Sequence, residues 1–302
     1  LLEVLNDYGV VQYFGVPTFS TAIFQTWFGM SDLNAAIKLS ATLMLIVFII
    51  LILERILRGR KKYSYASPKI RPLSPIRLNG WRAFLVSSYP LIILALGFII
   101  PFLQLVQWML LTFEKIADPV FLNLIYNSIL VAFIGSLMIV TFAVIIANFA
   151  RIHESLLSNF SARVIILGYS IPGAVIAVGI ITVFINTDEF LFTFYESLGM
   201  EPMLYLSTSL FMLISAYVIR FLAVGFNAIE SGFDKIGNKY TEASRTLGWG
   251  VTRTFFKVDL RLIKGAILSG FILSFIEILK ELPLTLILRP FNFDTLSTKA
   301  FQ

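Results

Sequence analysis

The sequence predicts an all-α bundle that crosses a lipid bilayer several times. Three observations carry that expectation. Of 302 residues, 58% are hydrophobic and 14% charged, with a mean hydropathy of +0.85. A soluble chain carries about a quarter charged residues, and a core of this size cannot hide so much apolar surface. Six stretches reach the roughly 20 apolar residues that cover a hydrocarbon core. None of them alternates apolar and polar residues at every second position, as a membrane β-strand does. This composition excludes a soluble enzyme, a disordered chain and a nucleic-acid-binding domain. The net charge of +6 then belongs to loops. With no cysteine, disulfides, thiolate metal sites and cysteine nucleophiles are excluded.

In chain order the spans are expected near 35–57, 84–108, 127–150, 163–184, 204–226 and 265–288. The first holds the uncharged run 43–53 and the fourth the uncharged run 175–185. Lys and Arg in the short loops set orientation. The segment after the first span carries Arg55, Arg58, Arg60, Lys61 and Lys62, then Lys69, Arg71, Arg77 and Arg82, so it is placed in the cytoplasm. Pro68, Pro72 and Pro75 make residues 58–81 an extended basic linker between two membrane halves. The loop at 185–203 has Asp188, Glu189, Glu196 and Glu201 and no basic residue, whereas 227–264 has eight basic positions counting Arg220 at its edge. Basic and non-basic loops alternate in step with the spans. The expected organisation is 1–57 as the tail of a first half, 58–81 as linker, and 82–302 as a second half with a cytoplasmic loop at 227–264.

The two ends of the chain resemble each other. Residues 1–28 align without gaps on 275–302, an offset of 274, with Glu3, Leu5, Phe19 and Thr21 matching Glu277, Leu279, Phe293 and Thr295. Asp7 falls opposite Glu281, and Trp27 opposite Phe301. Internal repeats of this kind are common in transporters. On this alignment the counterpart of the helix at 35–57 lies past residue 302, and that of the helix at 84–108 about 190 residues before Leu1. The sequence is therefore expected to be a window on a longer chain, with most of the first half and the last helix of the second outside it.

Residues 240–268 are the most informative stretch. Residues 240–247 read as a short helix with Thr241 as N-cap, Glu242 in the first turn where a carboxylate favours the positive helix end, and Gly248 as the C-terminal glycine. Residues 252–262 follow as an amphipathic segment, with Phe255, Phe256, Val258, Leu260 and Leu262 among Arg253, Lys257 and Arg261. By themselves these residues equally describe a basic helix lying on lipid headgroups.

The order Glu242-Ala243-Ser244, Gly248, then Val258 and Leu260 resembles the coupling motif of binding-protein-dependent ABC importer permeases, the type I importers with a MetI-like fold. Ser244 stands where that family usually has a second Ala, and Arg261 where it has Pro. Residues 280–302 and the segment from Glu3 look like matching parts of the two halves of fused ferric-iron permeases. The resemblance implies a multi-pass inner-membrane subunit that passes substrate, ferric iron, from a periplasmic binding protein to the cytoplasm. Energy would come from a separate cytoplasmic ABC ATPase dimer gripping Glu242, Ala243, Ser244, Gly248, Val258 and Leu260. It implies no enzyme activity and no cofactor on this chain, with ATP-Mg on the partner ATPase. Relatives for thiamine, phosphonate or polyamine share the fold. An ion-driven secondary transporter, which also needs a repeat and intramembrane carboxylates, is the reading from another class.

Glu277, Lys280 and Glu281 sit at the end of an apolar span, where charges usually face a cavity or a partner. A Glu277–Lys280 pair at i,i+3 either lines a pathway or gate or simply holds helices together. Glu3 and Asp7 are the opposing pair from the other copy. Gly168, Pro172, Gly173 and Gly179 suit close helix contact or a hinge. His153 is the single histidine and reads as an ordinary loop residue. No metal cluster with ligand spacing and no phosphate-binding loop is present, so no metal site is expected and ATP is not expected to bind this chain.

Overall fold

A computed structural model describes residues 7–58, 77–116, 118–152, 161, 164–166, 168–199, 201–237 and 239–302. Most of the linker, Glu3 and His153 lie outside the described residues. The described chain is helical, without strands. It divides into two compact units, residues 1–54 with 124–302, and residues 55–123.

The smaller unit is built on one apolar rod, α4 (Trp81–Leu94) and α5 (Ile100–Ile116), joined by a π turn at Ala95–Ile99. Pro101 lacks the N–H that would close the preceding turn, and the ladder widens there. α4 buries none of its residues. A helix apolar on every face is suited to lipid rather than water.

The larger unit opens with two short helices, α1 (Gly9–Tyr13) and α2 (Phe19–Phe24), the latter running on into a π turn. α3 (Leu33–Arg58) follows and buries Ala36, Ser40, Leu43 and Val47. Their spacing of three and four is one helical stripe. The rest of its apolar surface faces outward. α6 (Pro119–Ile152) repeats the pattern over 34 residues, with a buried stripe from Leu124 to Ala147.

The expected span at 163–184 is corrected. Residues 168–170 are helical, the backbone breaks at Ile171 and Pro172, and α7 runs Gly173–Ser197. Proline fixes the start of the new helix, so much of the supposed loop 185–203 is helical. Asp188 is fully buried near the end of α7 and accepts from Tyr195 Oη, the Leu206 and Ser207 amides and Ser207 Oγ at 2.5–3.0 Å. Those bonds fold the outer loop back before α8 (Leu210–Ile236). Arg220 is also corrected. It lies inside α8, 7% exposed, not at a loop edge.

Beyond α8 come α9 (Lys239–Thr246), α10 (Val251–Leu262, with a π turn at Phe255–Asp259) and α11 (Lys264–Leu279). α10 and α11 meet at a 69° bend. The expected span 265–288 is corrected too. α11 ends at Leu279, and a separate α12 (Pro283–Leu288) follows after three intervening residues. Pro283 has no N–H to continue the helix. α13 (Leu296–Phe301) closes the chain.

α8 packs most extensively on α11. Small residues allow it: a Cβ on Gly232 would lie 2.4 Å from that of Ala266. With no hydrophobic drive between helices in lipid, close backbone packing of this kind holds a bundle together. Tyr217, Phe221, Ile278, Leu284 and Leu288 centre one buried cluster, and Ala143, Phe226, Ile229, Phe233 and Ile263 another nearer the α9 end.

Candidate functional site

The loop at 239–262 folds back on the bundle as a pinned hairpin of helices. α9 ends in a Schellman motif: Gly248 has φ +83°, its amide donates to the Arg245 carbonyl at 3.0 Å, and the Trp249 amide donates to the Ser244 carbonyl at 3.2 Å. Gly248 is thus the C-terminal glycine its position predicts, because only glycine adopts this φ without penalty. Glu242 is in the first turn, as expected. Thr241 is not the N-cap. It lies inside α9 and its Oγ1 donates to Asp259 Oδ1 at 2.8 Å.

Asp259 is 2% exposed and also pairs with Arg151 Nη2 at 2.8 Å. The Arg151 guanidinium in turn lies 4.3 Å over the Phe233 ring, a cation–π contact. One ion pair therefore joins the last turn of α6, the end of α8, the first turn of α9 and the π turn of α10. A second tie, Ser244 Oγ to Thr254 Oγ1 at 2.9 Å, is buried beneath it. Serine at 244 thus does more than fit where a small residue is needed. Glu242, Ala243 and Gly248 face outward, Val258 is half-buried, and Leu260 packs on the buried cluster of Phe226 and Ile229. Tyr240 and Leu247 are exposed apolar residues on the same outer surface, and Arg253 stacks 4.5 Å over Trp249.

At the other end of α11 lies a cavity of about 430 Å³ lined by Asp7, Tyr8, Tyr169, Arg220, Glu277, Lys280 and Glu281, among others. Glu277 and Lys280 form the expected pair at 2.9 Å. Glu281 does not share that helix face. It sits past the end of α11, 5% exposed, and pairs with Arg220 Nη1 at 3.1 Å. Among the described residues no group of three or more His, Cys, Asp or Glu is placed to hold a metal ion.

The repeat is visible in this geometry, with its register revised. Asp7 Oδ1 accepts the Val10 amide at 3.1 Å and Glu281 Oε1 accepts the Leu284 amide at 3.0 Å, so each carboxylate caps a short helix, at the expected offset of 274. Farther along, α2 and α13 both begin in a capping box, Thr18 with Thr21 and Thr295 with Thr298. That offset is 277, and the aligned segments read TFSTAIF and TLSTKAF. The second copy carries three more residues between its helices, so Phe19 and Thr21 do not correspond to Phe293 and Thr295. Phe24 and Phe301 do correspond, and both rings meet Tyr8, at 3.8 and 5.3 Å. A Cβ on Gly9 would lie 3.2 Å from Leu282 Cδ2, so the two copies touch at the cavity.

The glycine and proline positions split. A Cβ on Gly173 would lie 1.6 Å from Arg220 Nη1, and one on Gly168 2.7 Å from the Ile219 carbonyl, whereas Gly179 has open space. Sequence reasoning missed Arg220 and Asp259. The signal for Arg220 was there: it is the lone charge in the apolar run 210–229.

Helices long and apolar enough to span a bilayer, with a charged cavity at one end of α11 and a clamped basic loop at the other, define a multi-pass membrane protein. The chain belongs to the family of binding-protein-dependent transport system inner membrane components, whose match covers residues 139–294. It is 25% identical over 305 residues to the Fe(3+)-transport system permease protein FbpB 2 of Haemophilus influenzae, covering all of this chain and 57% of that relative. It is 37% identical over 76 residues to the molybdate/tungstate transport system permease protein WtpB of Methanocaldococcus jannaschii, 25% of this chain and 30% of that relative. The alignments thus span 57% and 30% of the lengths of these relatives.

Proposed function

We propose that this chain is the permease part of an ABC importer for ferric iron. It would receive substrate from a periplasmic binding protein and be driven by a separate cytoplasmic ATPase dimer, which hydrolyses ATP-Mg and grips α9. Residues 82–302 would form one permease half, and 1–57 the tail of the other. The observation that carries the substrate is the alignment of the whole chain with a ferric-iron permease. The cavity supports it, since three carboxylates face two basic groups there. Hard oxygen donors suit a hard trivalent cation. The clamp of Asp259 on Arg151 and Thr241 supports the coupling role, because a push on α9 would reach α6 and α8 through buried contacts.

Uptake by the reconstituted importer, measured with iron(III) and with molybdate in parallel, tests the substrate. Iron(III) accumulation that excess molybdate leaves unchanged is the expected result. Molybdate uptake without iron uptake would replace the reading with the oxyanion one that the shorter alignment suggests.

Glu277→Ala addresses the pathway role. The pair it removes is partly exposed, with Lys280 54% accessible, and such pairs contribute about 0–1 kcal/mol. Folded protein in the membrane is expected to stay near wild type while uptake falls at least fivefold. Equal loss of both would mark the pair as structural.

A further inference from the structure

We propose that Arg220 is a tethered stand-in for the transported metal cation, occupying Glu281 while the passage is closed. Passage through the cavity is then an exchange of one cation for another at this carboxylate. The inference rests on the cation-importer reading above.

The ion pair is buried yet poorly built as a structural element. A guanidinium offers a fork that matches a carboxylate in two parallel bonds of about 2.7–2.9 Å. Here the contact is a single bond, Nη1 to Oε1 at 3.1 Å. Arg220 Nε is buried and has no acceptor among the described residues. An under-satisfied charge in the middle of an apolar helix is costly. Arg220 stands ten residues into α8, about 15 Å along the helix at 1.5 Å per residue, which is deep in a hydrocarbon layer.

Glu281, by contrast, has partners that do not depend on the arginine. Its Oε1 accepts the Leu284 amide at 3.0 Å and lies beside Gly173, at the N-terminal, positive end of the 25-residue α7. Its backbone carbonyl accepts from Thr285 Oγ1 and Ser297 Oγ, both at 2.9 Å, so the main chain that carries the carboxylate is fixed independently of Arg220. Gly173 is what lets the guanidinium reach it, since any Cβ there would occupy the position of Nη1. With Arg220 swung away, Glu281 is left with Glu277 and Asp7 in the same lining, where Lys280 is paired with Glu277. The carboxylates of that lining offer a hard cation transient oxygen contacts in passing, not a resident metal cage among the described residues.

Terbium(III) tests this directly, because tyrosines beside a bound ion sensitise its luminescence. The probe is terbium chloride added to the purified full chain in nanodiscs. Arg220→Gln, which removes the tethered charge and shortens the side chain, is expected to bind terbium at least tenfold more tightly than wild type. Arg220→Lys should behave as wild type, and Arg220→Gln with Glu281→Gln should lose the gain. Should Arg220→Gln fold poorly, Arg220→Met removes the same charge with an apolar side chain and should move binding in the same direction. Indistinguishable terbium binding in wild type and every well-folded member of this set overturns the exchange. Iron(III) uptake by the wild-type importer is measured in parallel. Its absence overturns the cation-importer reading and the exchange with it, whereas its presence beside unchanged terbium binding overturns the exchange alone.

Discussion

Replacing Asp259 by alanine is expected to lower uptake more than tenfold and to reduce folded protein in the membrane severalfold. Asp259 is 2% exposed and holds both Arg151 and Thr241 at 2.8 Å. Removing one member of such a pair leaves the other charge buried without its partner, at a cost of about 3–5 kcal/mol. The same change frees α9 from α6, so coupling should suffer even in the molecules that fold. Asp259→Asn keeps the volume and the acceptor oxygen but loses the charge, and should fall between the two. Membrane-fraction protein and uptake per folded molecule are the measurements. Replacing both partners, Arg151→Met with Asp259→Leu, should recover folded protein, because matched apolar groups often replace a buried ion pair without penalty, while uptake per molecule stays low. Full recovery of uptake in that double variant would show that the pair only stabilises and does not transmit.

Gly248→Asp is expected to abolish co-purification of the proposed partner ATPase while the chain still inserts in the membrane. At φ +83° a residue with a Cβ is strained by roughly 1–3 kcal/mol. The Schellman bonds from Gly248 and Trp249 that close α9 then compete with a relaxed backbone. α9 has eight residues, too few to stay helical alone, so a frayed end removes the proposed docking surface rather than bending it. Glu242→Lys leaves the fold of α9 largely in place, since the residue is exposed. It puts a positive charge at the positive helix end and reverses the charge offered to the proposed partner. ATP-driven uptake below a tenth of wild type with unchanged insertion is expected for both. Normal ATPase recovery and uptake in both variants would remove α9 from the coupling role.

Much of this was legible in the sequence because lipid sets a length rule. A run such as 43–53 has one reading, and α3 and α6 fall near their expected places. The breaks were written in prolines: Pro172 and Pro283 divide apolar runs that length alone joins. Gly248 was legible because a backbone need with one residue type is local. The two ion pairs were not, because they join residues 61 and 108 apart, and no periodicity along one helix reports a partner on another. Arg220 counted as a loop residue for that reason. The repeat was found through its carboxylates, Asp7 and Glu281, which sit before the added residues. Its register slipped after them, where a gapless alignment matched Thr21 to Thr295 rather than to Thr298. Capping geometry restores the pairing, since both threonine pairs serve the same unsatisfied amides at a helix start.

The central claim is that work done on α9 by an ATPase moves substrate through this bundle. The most direct measurement is iron(III) uptake into proteoliposomes holding the chain with its ATPase and binding protein, with ATP or a non-hydrolysable analogue inside the coupling compartment and a protonophore added. Uptake that requires hydrolysable ATP and survives collapse of the proton gradient is the predicted result. Uptake that persists without ATP and vanishes with the gradient would contradict it and identify an ion-driven transporter instead.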